Sequence, residues 1–138
     1  MRSAALAQGT SAAATNFVLH LPQLPPVIIA TDVIAHEGNE EAWAQLQGVS
    51  IAQVEVPIGA WRAPYLHINT PEPVVLSGTA RAGLQLPQKE WLELDLQAGD
   101  CVYFPLGWPH RFRNAGSGVL RAYFNYGHEQ RETVEVTV

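Results

Sequence analysis

Gly99-Asp100-Cys101-Val102-Tyr103-Phe104-Pro105-Leu106-Gly107-Trp108-Pro109-His110-Arg111-Phe112-Arg113-Asn114 is the stretch on which the reading of this chain turns. Cys101 to Phe104 read as a short strand, bounded upstream by the Ala98-Gly99-Asp100 turn. The strand runs into Pro105-Leu106-Gly107, where proline fixes one backbone angle and glycine allows a tight reversal. A turn this rigid aims His110 at a set point. Asn114 can close the next turn by bonding to its own backbone.

Working outward, the same alternation of short strands and turn residues recurs. Residues 49–56 precede Pro57 and Gly59; residues 72–82 carry Val74, Val75 and Leu76, then Ser77-Gly78. Residues 91–96 alternate, with Leu92, Leu94 and Leu96 on one face and Glu93 and Asp95 on the other. Residues 119–126 and 133–138 complete the set. A recurrence of about 8–12 residues is that of a sandwich or barrel, so the expected fold is an all-β jelly roll. On the N-terminal side, residues 17–21 read as a short strand and the proline-rich 21–26 as a linker. Residues 27–34 read as a further strand or an extended N-terminal arm. Residues 40–46 are open between a helical turn and a solvated loop.

Bulk properties narrow the function classes. With 138 residues, of which 47% are hydrophobic and 15% charged, the chain fits one packed domain, expected over residues 16–138. The formal net charge of -5 carries no basic block, which argues against nucleic acid as a partner. No run approaches the roughly 20 apolar residues of a membrane-spanning helix. Residues 1–15, rich in Ala and Ser, read as a flexible tail, with a processed leader as the lesser alternative. Cys101 is the sole cysteine. It cannot form an internal disulfide, fits a reducing compartment, and reads as a small core residue. A cytoplasmic location is the default expectation.

The segment around His110 resembles the second cupin motif, Gly-x5-Pro-x-Gly-x2-His-x3-Asn, at every specified position. Upstream, Gly59-Ala-Trp-Arg-Ala-Pro-Tyr65-Leu-His67-Ile-Asn-Thr-Pro-Glu72 resembles the first motif, Gly-x5-His-x-His-x3,4-Glu-x6-Gly. The likeness extends over residues 16–138 toward single-domain germin-like and oxalate-decarboxylase-like cupins. It implies a jelly-roll barrel, a homodimer and a divalent ion, manganese or iron, with zinc or nickel as alternatives. By that resemblance His67, Glu72 and His110 fall at metal-ligand positions. Two departures stand out. The first histidine position holds Tyr65, and only five residues separate Glu72 from Gly78 where the motif has six.

Because side chains alternate faces along a strand, that missing residue leaves the orientation of Glu72 open. Counted from Ser77-Gly78 it points away from the lumen. Counted from His67 it points inward, with an irregularity expected near Pro73. Tyr65 and His67 alternate and should share the inward face. His20, His36 and His128 read as surface residues. Trp61 and Trp108 are candidates for the barrel mouth or, equally, for ordinary core packing, and Arg62 and Arg111 are either carboxylate anchors or, the commoner case, surface arginines.

Three functions follow. The first is a metal-dependent decarboxylase or dioxygenase acting on a small organic acid through His67, Glu72 and His110. The second is a metal-free isomerase or cyclase in which Tyr65, His67 and His110 are catalytic. The third is a small-ligand binder without chemistry.

Overall fold

The computed structural model describes residues 17–67, 69–128 and 133–135. Among the described residues, eleven strands follow a one-turn 3-10 helix at Leu21–Gln23: β1 (Val27–Ala30), β2 (Val33–Gly38), β3 (Ser50–Val56), β4 (Trp61–His67), β5 (Glu72–Ser77), β6 (Ala80–Gln85), β7 (Trp91–Leu96), β8 (Cys101–Phe104), β9 (His110–Asn114), β10 (Leu120–Tyr126) and β11 (Thr133–Glu135). They form two antiparallel sheets, ordered β1-β2-β3-β10-β5-β8 and β11-β4-β9-β6-β7, which face each other as a jelly roll. Among the described residues no helix is long and apolar enough to cross a membrane.

Alternation of burial along β5, β8, β9 and β10 explains the barrel. In β10, Leu120, Ala122, Phe124 and Tyr126 are buried while Arg121 and Asn125 are exposed. In β5, Glu72, Val74 and Leu76 point inward. One end of the lumen is wholly apolar, packed by Val74, Leu76, Ala80, Phe112 and Phe124 around a void of only about 10 Å³. Polar side chains collect at the other end.

Asn114 joins the two sheets. Its amide nitrogen donates to the carbonyls of Val56 (2.9 Å) and Gly118 (2.7 Å), while its Oδ1 accepts from Gly116 N–H at 2.9 Å. The last contact is the local turn closure expected of this residue. The first reaches β3 of the opposite sheet.

Several expectations are corrected at the N-terminal side. Residues 17–21 form no strand; Leu19 makes an isolated bridge and the chain then enters the 3-10 helix. Residues 27–34 are two strands, because Thr31-Asp32 turns the chain, Asp32 adopting a φ of 60°. The arm thus pairs with its own β3 through β2. Residues 40–46 form successive turns rather than a helix, the loop alternative. Residues 72–82 are also two strands, parted at Gly78 (φ 141°) and belonging to different sheets. Residues 1–16 and 136–138 lie outside the described residues.

Burial corrects two more. His36 is buried, its Nδ1 donating to the Leu24 carbonyl at 2.8 Å beneath the N-terminal segment. Cys101 is exposed, because on β8 the inward positions are Val102 and Phe104.

Replacing Asn114 with Ala removes three hydrogen bonds, among them the one that reaches across to β3, a loss of about 3 kcal/mol. At this chain length that lowers the melting temperature by about 10 °C. Thermal unfolding of the variant measures it, and an unchanged midpoint would refute the role of this residue in joining the sheets.

Candidate functional site

The polar end of the lumen is assembled from four strands. On β4, the register against β9 runs Arg62↔Phe112 and then Tyr65↔His110, three steps on one strand against two on the other. One extra residue is therefore accommodated at Ala63-Pro64, a β-bulge, and proline suits it because it has no ladder N–H to lose. The bulge resets the alternation, so Arg62, Tyr65 and His67 are all buried on one side of the strand. Pro64 is the sequence signal for it.

On β5, burial alternates without a break through Pro73, and the pairing with β8 is continuous from Glu72↔Phe104 to Val75↔Cys101. Glu72 faces inward, only 1% exposed, as counting from His67 requires. The irregularity expected at Pro73 is absent, so the shorter spacing is taken up at the Gly78 turn instead. Leu76 bonds to Asp100 of the β8 side, so odd-numbered residues address β10. The β10 ladder stops at Val74↔Phe124. Pro73 lies one step past that pair, where a residue without a backbone N–H ends the ladder instead of breaking it.

The Pro105–Trp108 turn behaves as its residues demand. Trp108 N–H donates to Pro105 O at 3.1 Å, and Gly107 carries the positive φ of 80° that a type II turn needs at its third position. Gly107 N–H also donates to the His67 carbonyl at 2.8 Å, tying the two motif segments together. His110 follows. Its Nδ1–H donates to Trp108 O (2.9 Å), its ring stacks on Phe104 at 4.1 Å, and Tyr65 packs edge-on at 4.2 Å.

These elements converge on the Glu72 carboxylate. His67 Nε2 meets Oε1 at 2.6 Å and His110 Nε2 meets Oε2 at 2.6 Å. Tyr65 Oη–H donates to Oε2 at 3.0 Å, and Tyr126 Oη–H donates to Oε1 at 3.1 Å. One ligand atom from each of His67, Glu72 and His110 lies within 4.8 Å of the others, and all three residues are buried.

The His110 contact is short but not aligned as a hydrogen bond, leaving Nε2 a buried nitrogen without a hydrogen-bond partner. Since Nδ1 carries a proton for Trp108, Nε2 of the neutral ring presents a lone pair to the carboxylate. Two acceptors in contact require a cation between them, either a proton or a metal ion. The donor set of two imidazoles and a carboxylate fits a divalent ion.

Burial pushes the Glu72 carboxyl up. The contacts with His110 and His67, and the charge those rings carry when protonated, outweigh burial and hold it at about 2. The Tyr65 phenol is raised well above its usual value, first by burial and then by the Glu72 charge. It stays a neutral donor.

Residues 33–138 match the family described as Cupin. This chain belongs to that family. The cupin is also similar in structure to an oxalate decarboxylase of Lactobacillus farciminis in its formate complex (20% identity, TM-score 0.78), covering 86% of this chain and 35% of that one. It is similar as well to the Bacillus subtilis oxalate decarboxylase (23% identity, TM-score 0.79), covering 86% and 31%. A further structure of that enzyme at the same identity, TM-score and coverage is described by its Mn(II) centres. This cupin thus spans about a third of the length of those chains. No curated protein sequence matches it.

The expected residues divide clearly. Tyr65, His67, Glu72 and His110 are brought together. Arg62 is buried with its guanidinium 3.9 Å over the Tyr65 ring, so the surface reading is corrected for it. Arg111 lies on the outer face, stacked on Trp91 and paired with Glu93. Trp61 is 50% exposed beside Arg113 and Trp108 is half-buried. Tyr126 was missed by the sequence reading. Its signal was the alternation Leu120, Ala122, Phe124, Tyr126, which puts a phenol last in an otherwise apolar inward row.

In the ion-free protein, Glu72 has a lower pKa folded than its ordinary value of 4.5, so its stabilising contribution is complete above that value. It is lost as pH falls from 4.5 toward 2. The stability advantage of the wild type over Glu72→Gln, followed by urea unfolding, should shrink across that window. A constant difference would contradict the paired, ionised carboxylate.

Proposed function

We propose that this chain is a metal-dependent cupin enzyme acting on a small organic acid within the barrel lumen. His67, Glu72 and His110 serve as the protein ligands of manganese or iron; zinc or nickel are chemically acceptable to the same donors. The observation that supports this best is the buried His110 Nε2, fixed by its Nδ1–H bond to Trp108 and pressed against Glu72 Oε2 at 2.6 Å. An imidazole whose far nitrogen is pinned to a carbonyl presents its near lone pair in the manner of a metal ligand. When bound, the ion supplies Lewis-acid polarisation of a carboxylate or activation of dioxygen.

The surrounding side chains define the rest of the chemistry. Arg62, Tyr65, His67 and Tyr126 line a space of about 10 Å³. That volume holds about one water molecule, so even a small acid enters only as a side chain at the mouth moves. The Arg62 guanidinium beside the cavity favours a carboxylate there. Tyr65, its hydroxyl bonded to Glu72 Oε2, forms part of the wall of that space. The similar structures are oxalate decarboxylases, one described by its Mn(II) centres, which supports manganese and decarboxylation of a small acid. Oxygen addition stands beside decarboxylation as the reaction.

The hydrogen bonds of Tyr65 and Tyr126 to Glu72 favour a second reading. Two phenols, two imidazoles and one carboxylate in mutual contact can pass protons without an ion, as an isomerase or cyclase requires.

Elemental analysis of protein purified without added metal separates the two. The metal reading expects about one manganese or iron per chain, and Glu72→Gln should weaken ion binding on the order of 100-fold or more. Protein that stays metal-free with manganese, iron and zinc in excess would overturn it in favour of proton transfer by Tyr65.

A further inference from the structure

We propose that Tyr126 and Tyr65 are paired positioning residues that hold Glu72 by opposite oxygens, so that Tyr65 supports the carboxylate instead of ligating the ion in place of a histidine. The proposal rests on the metal reading above for its consequence, but its geometry stands apart from any ion.

An ionised carboxylate offers about four lone-pair sites, two on each oxygen. In Glu72 each oxygen meets one imidazole nitrogen and one phenol. Oε1 meets His67 Nε2 at 2.6 Å and Tyr126 Oη at 3.1 Å. Oε2 meets His110 Nε2 at 2.6 Å and Tyr65 Oη at 3.0 Å. The two phenols come from different sheets, Tyr65 from β4 and Tyr126 from β10, and approach from two sides. Neither can move far. Tyr65 is the cross-strand partner of His110 and packs edge-on against both imidazoles, at 4.2 and 5.2 Å. Tyr126 lies two residues beyond the Phe124↔Val74 pair, as Glu72 does on the facing strand, and its ring stands at 89° to His67.

The consequence is division of labour. The phenols occupy one lone pair on each oxygen, and the remaining lone pairs face the two imidazoles. A carboxylate without these bonds is free to rotate about its last torsion, which is broad and shallow. With them, its orientation toward the His67 and His110 nitrogens is set before any ion arrives. The hydroxyl of Tyr65 is already committed as a donor to Oε2, which leaves three protein ligands, two nitrogens and one oxygen.

The test uses the full chain as Tyr65→Phe and Tyr126→Phe variants, with Mn(II) and Fe(III) as probes. Each variant should keep one-to-one Mn(II) binding but with about 10- to 100-fold weaker affinity, the effect typical of groups that orient a ligand. Unchanged Mn(II) affinity in Tyr126→Phe would overturn the positioning role of Tyr126. Loading the wild type with Fe(III) should give no phenolate-to-iron absorption in the visible. A visible band that disappears in Tyr65→Phe would make Tyr65 a ligand and overturn the division of labour.

Proton NMR of the ion-free protein decides the geometry independently. Two slowly exchanging hydroxyl protons should appear, each lost in one Phe variant and both displaced in Glu72→Gln; the absence of both would overturn the proposal. Wild type that binds no Mn(II) yet shows both protons would remove the metal reading and leave the phenol cradle standing.

Discussion

A carboxylate buried to 1% exposure is the constraint on which this molecule is built. Taking an ionised carboxyl out of water costs several kcal/mol unless charge and hydrogen bonds replace the lost hydration. Glu72 has both replacements: two imidazole nitrogens and two phenol hydroxyls, all within 3.1 Å. His67 and Tyr65 lie just before it in the chain, whereas His110 and Tyr126 are brought from distant strands, Tyr126 from 54 residues away. The barrel closes around this carboxylate, and the lumen divides accordingly into a tightly packed apolar end and a polar end that holds His67, Glu72 and His110.

The backbone devices all serve that convergence. A bulge at Ala63-Pro64 turns Arg62, Tyr65 and His67 to one side. A type II turn at Pro105–Trp108 sets the start of β9, and its Gly107 N–H holds the His67 carbonyl. Phe104 and Trp108 then lock the His110 ring by stacking and by a hydrogen bond. Asn114 closes the far end by bonding across to β3. Each device uses a residue with special backbone or hydrogen-bonding chemistry, and each sits within or beside the two motif segments.

Those residues are also why so much was legible. Short alternating strands bounded by Gly and Pro announce a jelly roll, and the turn before His110 could be read residue by residue. Alternation alone could not orient Glu72, because one residue more or less inverts a strand and the sequence does not say where the change is absorbed. The regular ladder through Pro73 answers that. Arg62 was hard to place for the same reason, since a bulge resets parity and Pro64 marks only where one is tolerated. His36 and Cys101 failed differently. Each sits on the outer side of a sheet, where burial depends on whether another segment lies over it; the N-terminal segment covers His36 and leaves Cys101 open.

Tyr65 departs from the family pattern, and with Tyr126 it gives the site a carboxylate held by phenols between two imidazoles. In the function proposed above, His67, Glu72 and His110 enclose a cation. Diffraction from crystals of the protein as purified, measured on both sides of the manganese and iron absorption edges, tests it most directly. One anomalous peak per chain is expected, bounded by His67 Nε2, His110 Nε2 and the Glu72 carboxylate. Crystals with no such peak after soaking in manganese and iron, and with the three side chains still in mutual contact, would contradict it.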